Sequence, residues 1–322
     1  MVLTVGEFNT AFSKDMKQHF DNQSWEAVKN SAFGKIYDVS DTTEYTASYI
    51  STEWVDLPEY FDEWQPLKNS SIWKGYKVTY DSAEFGHIMA ITKKARIKVG
   101  DSTEEIAKIA DKQKNSAIIA MNTFLEKEMW SLLNYTNATN ASYKILAPDL
   151  KPLLSDTHTW NSTGATFDND LGTSAISVNH AAAVVAYWAA FVDSHGTAMP
   201  LDFNKVFVKE GWAASRQAKA IYASKNAQGQ YQVEDLANMN IYEGSVQVIE
   251  VPWMTSGNDY FYVADSEMLG QENPLFVEFV QRPQAEWVFK ENRNLTWEMP
   301  YSASFKYGIK NMPFAILGWK VA

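Results

Sequence analysis

Phe8, Phe12, Met16 and Phe20 recur at four-residue steps along residues 5–20, with polar residues between them. This is the narrow apolar stripe of an amphipathic helix, too short to be stable alone, so it must dock on something. At 75–82, GYKVTYDS places Tyr76, Val78 and Tyr80 at alternate positions, the period of a half-buried strand. HIMAIT and ARIKV, within 87–99, read as its extended continuation. Ser102 and Glu105 then form the S-x-x-E box that opens a helix. Ile106, Ala110, Ala117, Met121, Phe124 and Leu132 lie near one face of that helix, at about 103–134. At 1.5 Å per residue it is a beam of about 45 Å, far longer than the mean helix of about 11–12 residues.

Between the first helix and the first strand the pattern breaks. Residues 47–75 interleave Trp54, Tyr60, Phe61, Trp64 and Trp73 with acids and two prolines, and neither the helical nor the strand period survives. Long stretches of this kind inside compact proteins are uncommon and usually functional. Farther on, SAISVNHAAAVVAYWAAFVDSHG is apolar nearly all round and predicts a buried helix. VFV (206–208), SVQVIEV (245–251), DYFYVA (259–264) and PLFVEFVQ (274–281) predict strands, and 211–224 a helix. In YSASFKYGI (301–309), Tyr301, Ala303, Phe305, Tyr307 and Ile309 share one side of an extended chain. Helices and strands are mixed without a βαβ rhythm, so the fold class is α+β.

Candidate chemistry is sparse. No phosphate loop, dinucleotide fingerprint, HExxH spacing or G-x-S-x-G elbow occurs. Asp156, His158, Asp168 and Asp170 come nearest to a cation site and are expected to be a polar surface loop; His180 is expected to be a satisfied core histidine. Zero cysteines exclude disulfides, thiolate catalysis and Cys-ligated zinc or iron–sulfur clusters. A net charge of −11 opposes any task that grips phosphate backbones. No signal peptide and no membrane-length apolar run are seen. Catalytic, cofactor and metal residues are therefore expected to be none. Aromatics are abundant, with 12 Trp, 16 Tyr and 17 Phe, which suits a large core or large contact surfaces. Aromatic-plus-acid composition leaves one alternative, a carbohydrate-active enzyme or sugar-binding protein, although no carboxylate pair is singled out.

In order, these elements make a docking helix, an aromatic arm, a strand, a beam, a mixed centre and return strands. If the final strands pair beside 75–99, the central segment is an insertion. This order resembles the tailed-phage major capsid proteins of the Hong Kong 97-type fold. GYKVTYDSAEFGHIMAITKKARIKVGDSTEEIAKI looks like the end of that family's extended loop running into its spine helix. VFVKEGWAASRQAKAIYASKNAQGQY looks like its inner strand, helix and turn, and EGSVQVIEVPWM like a strand closing on a proline. DYFYVADSEM with PLFVEFVQRP, and LLSDTHTWNSTGATFDN (153–169), are similar to the Mu-type major head subunit.

The resemblance implies a non-enzymatic shell subunit of a phage or prophage, forming pentamers and hexamers of an icosahedral capsid around double-stranded DNA without sequence-specific contact. It implies an N-terminal arm (1–46), an extended loop (47–75), a peripheral domain (76–139 and 273–322) carrying the spine helix, and an inserted axial domain (140–272). Phe8, Phe12, Met16, Phe20, Trp54, Tyr60, Phe61, Trp64 and Trp73 are then the expected subunit-interface residues. Expected partners are further copies of the chain, a separate scaffolding protein, a portal and, as an optional component, a decoration protein, with no membrane. The expected location is the virion, after assembly in the host cytoplasm.

Overall fold

A computed structural model describes residues 5–53, 74–98, 103–134, 145–174, 176, 178–199, 201–202, 204–211, 213–223, 244–254, 260–272, 274–286, 290–291 and 296–321. The first element is helix α1, Val5–Lys29, longer than the stripe at 5–20 predicts. Its four-residue step simply continues through Ser24 to Val28, both buried. After a short 3-10 turn at Phe33–Lys35 come strands β1 (Asp38–Asp41), β2 (Thr46–Thr52), β3 (Lys74–Asp81) and β4 (Ala83–Ile91). Helix α2, Lys93–Lys98, follows at once. The expected strand ARIKV is thus helical through Lys98. Lys, Ala and Arg are good helix formers, and the strand ends where β4 loses its partner strand.

Helix α3 spans Thr103–Asn134, with Glu104 and Glu105 in its first turn against the positive end of its dipole. Ser102 lies outside the described residues. Then come β5 (His158–Thr159), β6 (Thr166–Phe167), β7 (Asp170–Ser174), helix α4 (Val178–Ala189) and β8 (Lys205–Lys209). Helix α5, Ala213–Ala218, widens into a π-type turn over Lys219–Ala223. The chain finishes with β9 (Gln247–Val251), β10 (Tyr260–Ala264), α6 (Ser266–Glu272), β11 (Leu275–Ala285), β12 (Lys290–Glu291), β13 (Trp297–Ile309) and β14 (Ile316–Val321).

Two five-stranded sheets organise the molecule. In the first, β13 lies between β11 and β4, with β1 parallel to β11 on the outside and β12 beside the start of β13. The pairing of β13 with β4 runs without a break from Trp297↔Ile91 to Phe305↔Ala83. The second sheet has the order β7-β14-β10-β8-β9. Strand β14 joins this second sheet, antiparallel to β10 and parallel to β7, rather than the sheet of β11 and β13.

Helix α3 ties the sheets together. Leu125, Met129, Trp130 and Leu133 in its second half are fully buried. The Tyr307 hydroxyl, from the first sheet, donates to Glu128 Oε2 at 2.9 Å. From the second sheet, the Phe207 ring lies 5.6 Å from that of Trp130, and the Tyr262 hydroxyl bonds the Leu133 carbonyl. One continuous apolar core results, running from Phe20 under α1 to Trp319 on β14.

Candidate assembly surface

The loop between α3 and β7 is a structural clamp. His158 is buried, not on the surface as its polar neighbours suggest. Its Nδ1 lies 2.9 Å from Asp149 Oδ2 and its Nε2 lies 3.2 Å from the Leu153 carbonyl, while its ring stacks on Phe167. Among the described residues no group of three or more His, Asp or Glu is arranged to hold a metal ion, and no helix is long and apolar enough to cross a membrane. His180 sits on α4, with its side chain outside what is described.

Burial pushes the Asp149 carboxyl up, but the His158 bond and the Thr159 and Lys151 N–H groups outweigh it and hold the group below the usual carboxylate range. Such a group stabilises the fold fully above its unfolded value and loses that contribution as pH falls through the folded one. The melting temperature should therefore fall between about pH 5 and 2, and Asp149→Asn should flatten that acid limb. A thermal-melt series against pH checks this; an unchanged acid slope in the variant would remove Asp149 from the account.

The Trp-rich segment 54–73, with Trp54, Tyr60, Phe61, Trp64 and Trp73, lies outside the described residues, but both of its ends are well placed. Strands β2 and β3 pair from Thr46↔Asp81 to Thr52↔Lys74, so the segment leaves and returns at one point. The root of this hairpin is rigid. The Ser51 hydroxyl accepts the Tyr76 N–H at 2.8 Å. The buried Glu53 carboxylate accepts the N–H of Asn161 at 2.8 Å and that of Ser162 at 3.2 Å, and the Ser162 hydroxyl as well. At the other end of the hairpin the Tyr49 hydroxyl donates to Glu278. The ammonium of the fully buried Lys306 lies 3.1 Å from the same carboxylate and 2.8 Å from the Glu44 carbonyl. Burial, then the Glu278 bond, pushes the Tyr49 phenol well up. The Tyr80 hydroxyl bonds the Ile309 carbonyl at 2.7 Å. Its ring lies where a side chain on Gly308 would be, 2.4 Å from an added Cβ, so glycine is required there.

Of the stripe on α1, Met16 (3% exposed) and Phe20 (0%) are in this chain's own core. Phe20 packs on Tyr301 at 5.2 Å, and farther along the helix Trp25 meets Phe279 edge-on. Phe8 and Phe12 are on α1, but their side chains are not described. Elsewhere apolar surface is uncovered. Helix α4 buries Ala181, Val184 and Trp188 but exposes Ala182, Ala183, Val185, Ala186 and Ala189, so the expectation of burial all round is corrected. A single chain supplies packing for one face only. Tyr45, Ile50, Ile88, Ile97 and Ile119 are also exposed. The reading of α3 as one stripe passed over Ile119; the Ile118-Ile119 doublet was the available signal, since adjacent helical positions cannot share a face.

No curated protein matches the chain. Among solved structures, it is similar to the capsid of an empty GTA particle computed with C5 symmetry, with 13% identity, 90% of this chain and 89% of that one covered, and a TM-score of 0.53. The capsid of the native GTA particle gives 12% identity, 90% coverage of each chain and a TM-score of 0.51. A chain of Microbacterium phage Oxtober96 gives 10% identity, 91% coverage of each and a TM-score of 0.50. At such identities the likeness concerns the fold, which is α+β and of the Hong Kong 97 type. Residues 75–315 match the family model of phage capsid proteins, a family of structural proteins and not of enzymes, and the chain belongs to that family.

Proposed function

We propose that the chain is the major head subunit of a tailed phage or prophage, allied to the Mu type, and that it builds pentamers and hexamers of an icosahedral shell around double-stranded DNA. The observation that carries this reading is uncovered apolar surface on a chain of a capsid family: the α4 face and the exposed Ile119 on α3 and Ile88 on β4. Exposed apolar patches beyond a few hundred Å² mark interfaces, and obligate assemblies bury thousands.

The first sheet with α3 corresponds in this reading to the peripheral domain (76–139 and 273–322), and the second sheet to the axial domain (140–272), with β14 crossing between them. Residues 1–46 and 47–75 are the arm and the extended loop. Phe8, Phe12, Trp54, Tyr60, Phe61, Trp64 and Trp73 contact neighbouring copies. Met16 and Phe20 would join them only if α1 left its seat, and they serve first as its anchor. A scaffolding protein, a portal, a decoration protein and the packaged DNA are the further partners, and assembly takes place in the host cytoplasm before the subunit resides in the virion. The net charge of −11 suits a wall that does not adhere to its contents.

Negative-stain microscopy of the purified chain tests the reading. Closed shells or capsomer rings are expected. Uniform monomers that turn over a glycan would overturn it in favour of the carbohydrate-active alternative, for which no described residue cluster speaks.

A further inference from the structure

The stretch KKARIK (93–98) sets four of the chain's 28 basic residues into six positions, and no Asp or Glu occurs from 85 to 100. This stretch is the whole of helix α2. The Thr92 hydroxyl accepts the Ala95 N–H at 3.2 Å where the helix begins. Ala95 packs with Ile109 and Trp297 against the buried Met16, Ile91 and Ala110, which fixes the orientation of the helix. At about 100° per residue, Lys93, Lys94, Ile97 and Lys98 share an arc of about 140°. All four are exposed.

Basic side chains elsewhere are answered by acids. On α3, Lys108 lies 2.9 Å from Glu104 and 3.0 Å from Glu105, and Lys114 lies 3.2 Å from Asp111. Lys219, Lys306 and Lys310 have carboxylate partners too. Among the described residues Lys93, Lys94 and Lys98 have no ion-pair partner. Three unanswered ammonium groups on one face of an acidic molecule suit an anionic partner. What the face lacks narrows the choice. A protein interface needs an apolar centre, and on this arc Ile97, 60% exposed, is the single apolar side chain. Phosphate backbones are held by lysine charge alone.

We infer that α2 is a foothold for the phosphate backbone of double-stranded DNA, made by the ammonium groups of Lys93, Lys94 and Lys98. The inference rests on the shell reading above and names where the wall touches its contents. Such contacts position a duplex without reading its bases. The rest of the acidic surface repels phosphate, so each chain offers one small point of contact. Neutralising three phosphates gives a salt slope of about −2.7, which is a loss of about fortyfold in affinity between 50 and 200 mM salt.

The test titrates the full-length chain, as unassembled subunits, into a short fluorescent duplex of mixed sequence and reads anisotropy across that salt range. Lys93→Gln with Lys94→Gln and Lys98→Gln should weaken binding at least tenfold at the low-salt end and remove about 2.7 from the slope. The same three positions changed to Arg keep their charge and should bind like the parent. Lys14→Gln with Lys77→Gln and Lys320→Gln takes the same charge from exposed positions elsewhere and should leave the slope unchanged. A parent chain that does not bind, or two Gln variants that weaken alike, overturns the foothold. Poly-glutamate that displaces the duplex as well as unlabelled DNA does would assign the face to an acidic protein and also overturn it. Acetylation of the parent chain with and without duplex, read by mass spectrometry, needs no variant. DNA should protect Lys93, Lys94 and Lys98, and equal labelling overturns the contact. Each of these failures leaves the shell reading standing, which micrographs of the parent chain decide separately.

Discussion

Replacing residues 54–73 with a Gly-Gly linker yields a chain that folds and does not assemble. The ends of the segment are already joined by the Thr52↔Lys74 pair, so a short turn closes the hairpin without moving its strands. The anchors of the hairpin remain: at its root Glu53 on the 161–162 loop and Ser51 on Tyr76, and farther along Tyr49 on Glu278. Circular dichroism and the melting temperature should therefore be close to those of the parent chain. In the proposed reading, what is lost is contact between copies. Two tryptophan anchors at about 2 kcal/mol each amount to about a thousandfold in pairwise association. A shell compounds that loss over every contact, and micrographs should be empty of particles. A deletion chain that unfolds would place the segment in its own core and end the argument.

The largest effect on stability is expected at Lys306. Its side chain is fully buried, and its ammonium faces the Glu278 carboxylate and the Glu44 carbonyl. Lys306→Ala takes this donor from the Glu44 carbonyl, leaves Glu278 with the Tyr49 hydroxyl but no positive charge beside it, and opens a cavity in the first sheet. Breaking a buried pair from one side costs about 3–5 kcal/mol. The lower figure applies, since Glu278 retains some contact with water. At about 2 °C per kcal/mol for a chain of this size, the melting temperature falls by roughly 6 °C. Removing both charges, as Lys306→Met with Glu278→Leu, should recover most of the loss, because well-packed apolar replacements of buried pairs are often neutral. A loss below about 1 kcal/mol, the range of a surface pair, would mean that water reaches the site.

The elements that declared themselves in the sequence were those with local cause. Helix α3 announced itself through Glu104 and Glu105 at its start and a long helical period. Strand β13 did so through strict alternation from Tyr301 to Ile309. What was hidden depended on distant partners. Nothing in the polar stretch SDTHT (155–159) marks His158 for the core; Asp149 and Phe167 put it there. ARIKV could have been strand or helix, and the choice was made by where β13 stops pairing, at Trp297↔Ile91. The composition of α4 spoke of burial, yet an apolar helix face is equally suited to a neighbour that a single sequence does not contain. The same holds for Ile88 and Ile119, apolar residues that lie on the surface. Aromatic richness in 47–75 pointed to contact surfaces.

Strands β13 and β14 occupy inner positions in two different sheets, only six residues apart, at 310–315. During synthesis neither sheet can close until residues 297–321 have emerged, because β11 and β4 have no ladder to share without β13, and β7 and β10 none without β14. The nascent chain therefore stays incompetent for most of its translation time. Both halves then mature almost together, so a subunit able to bind its siblings is one whose message has been read nearly to that point.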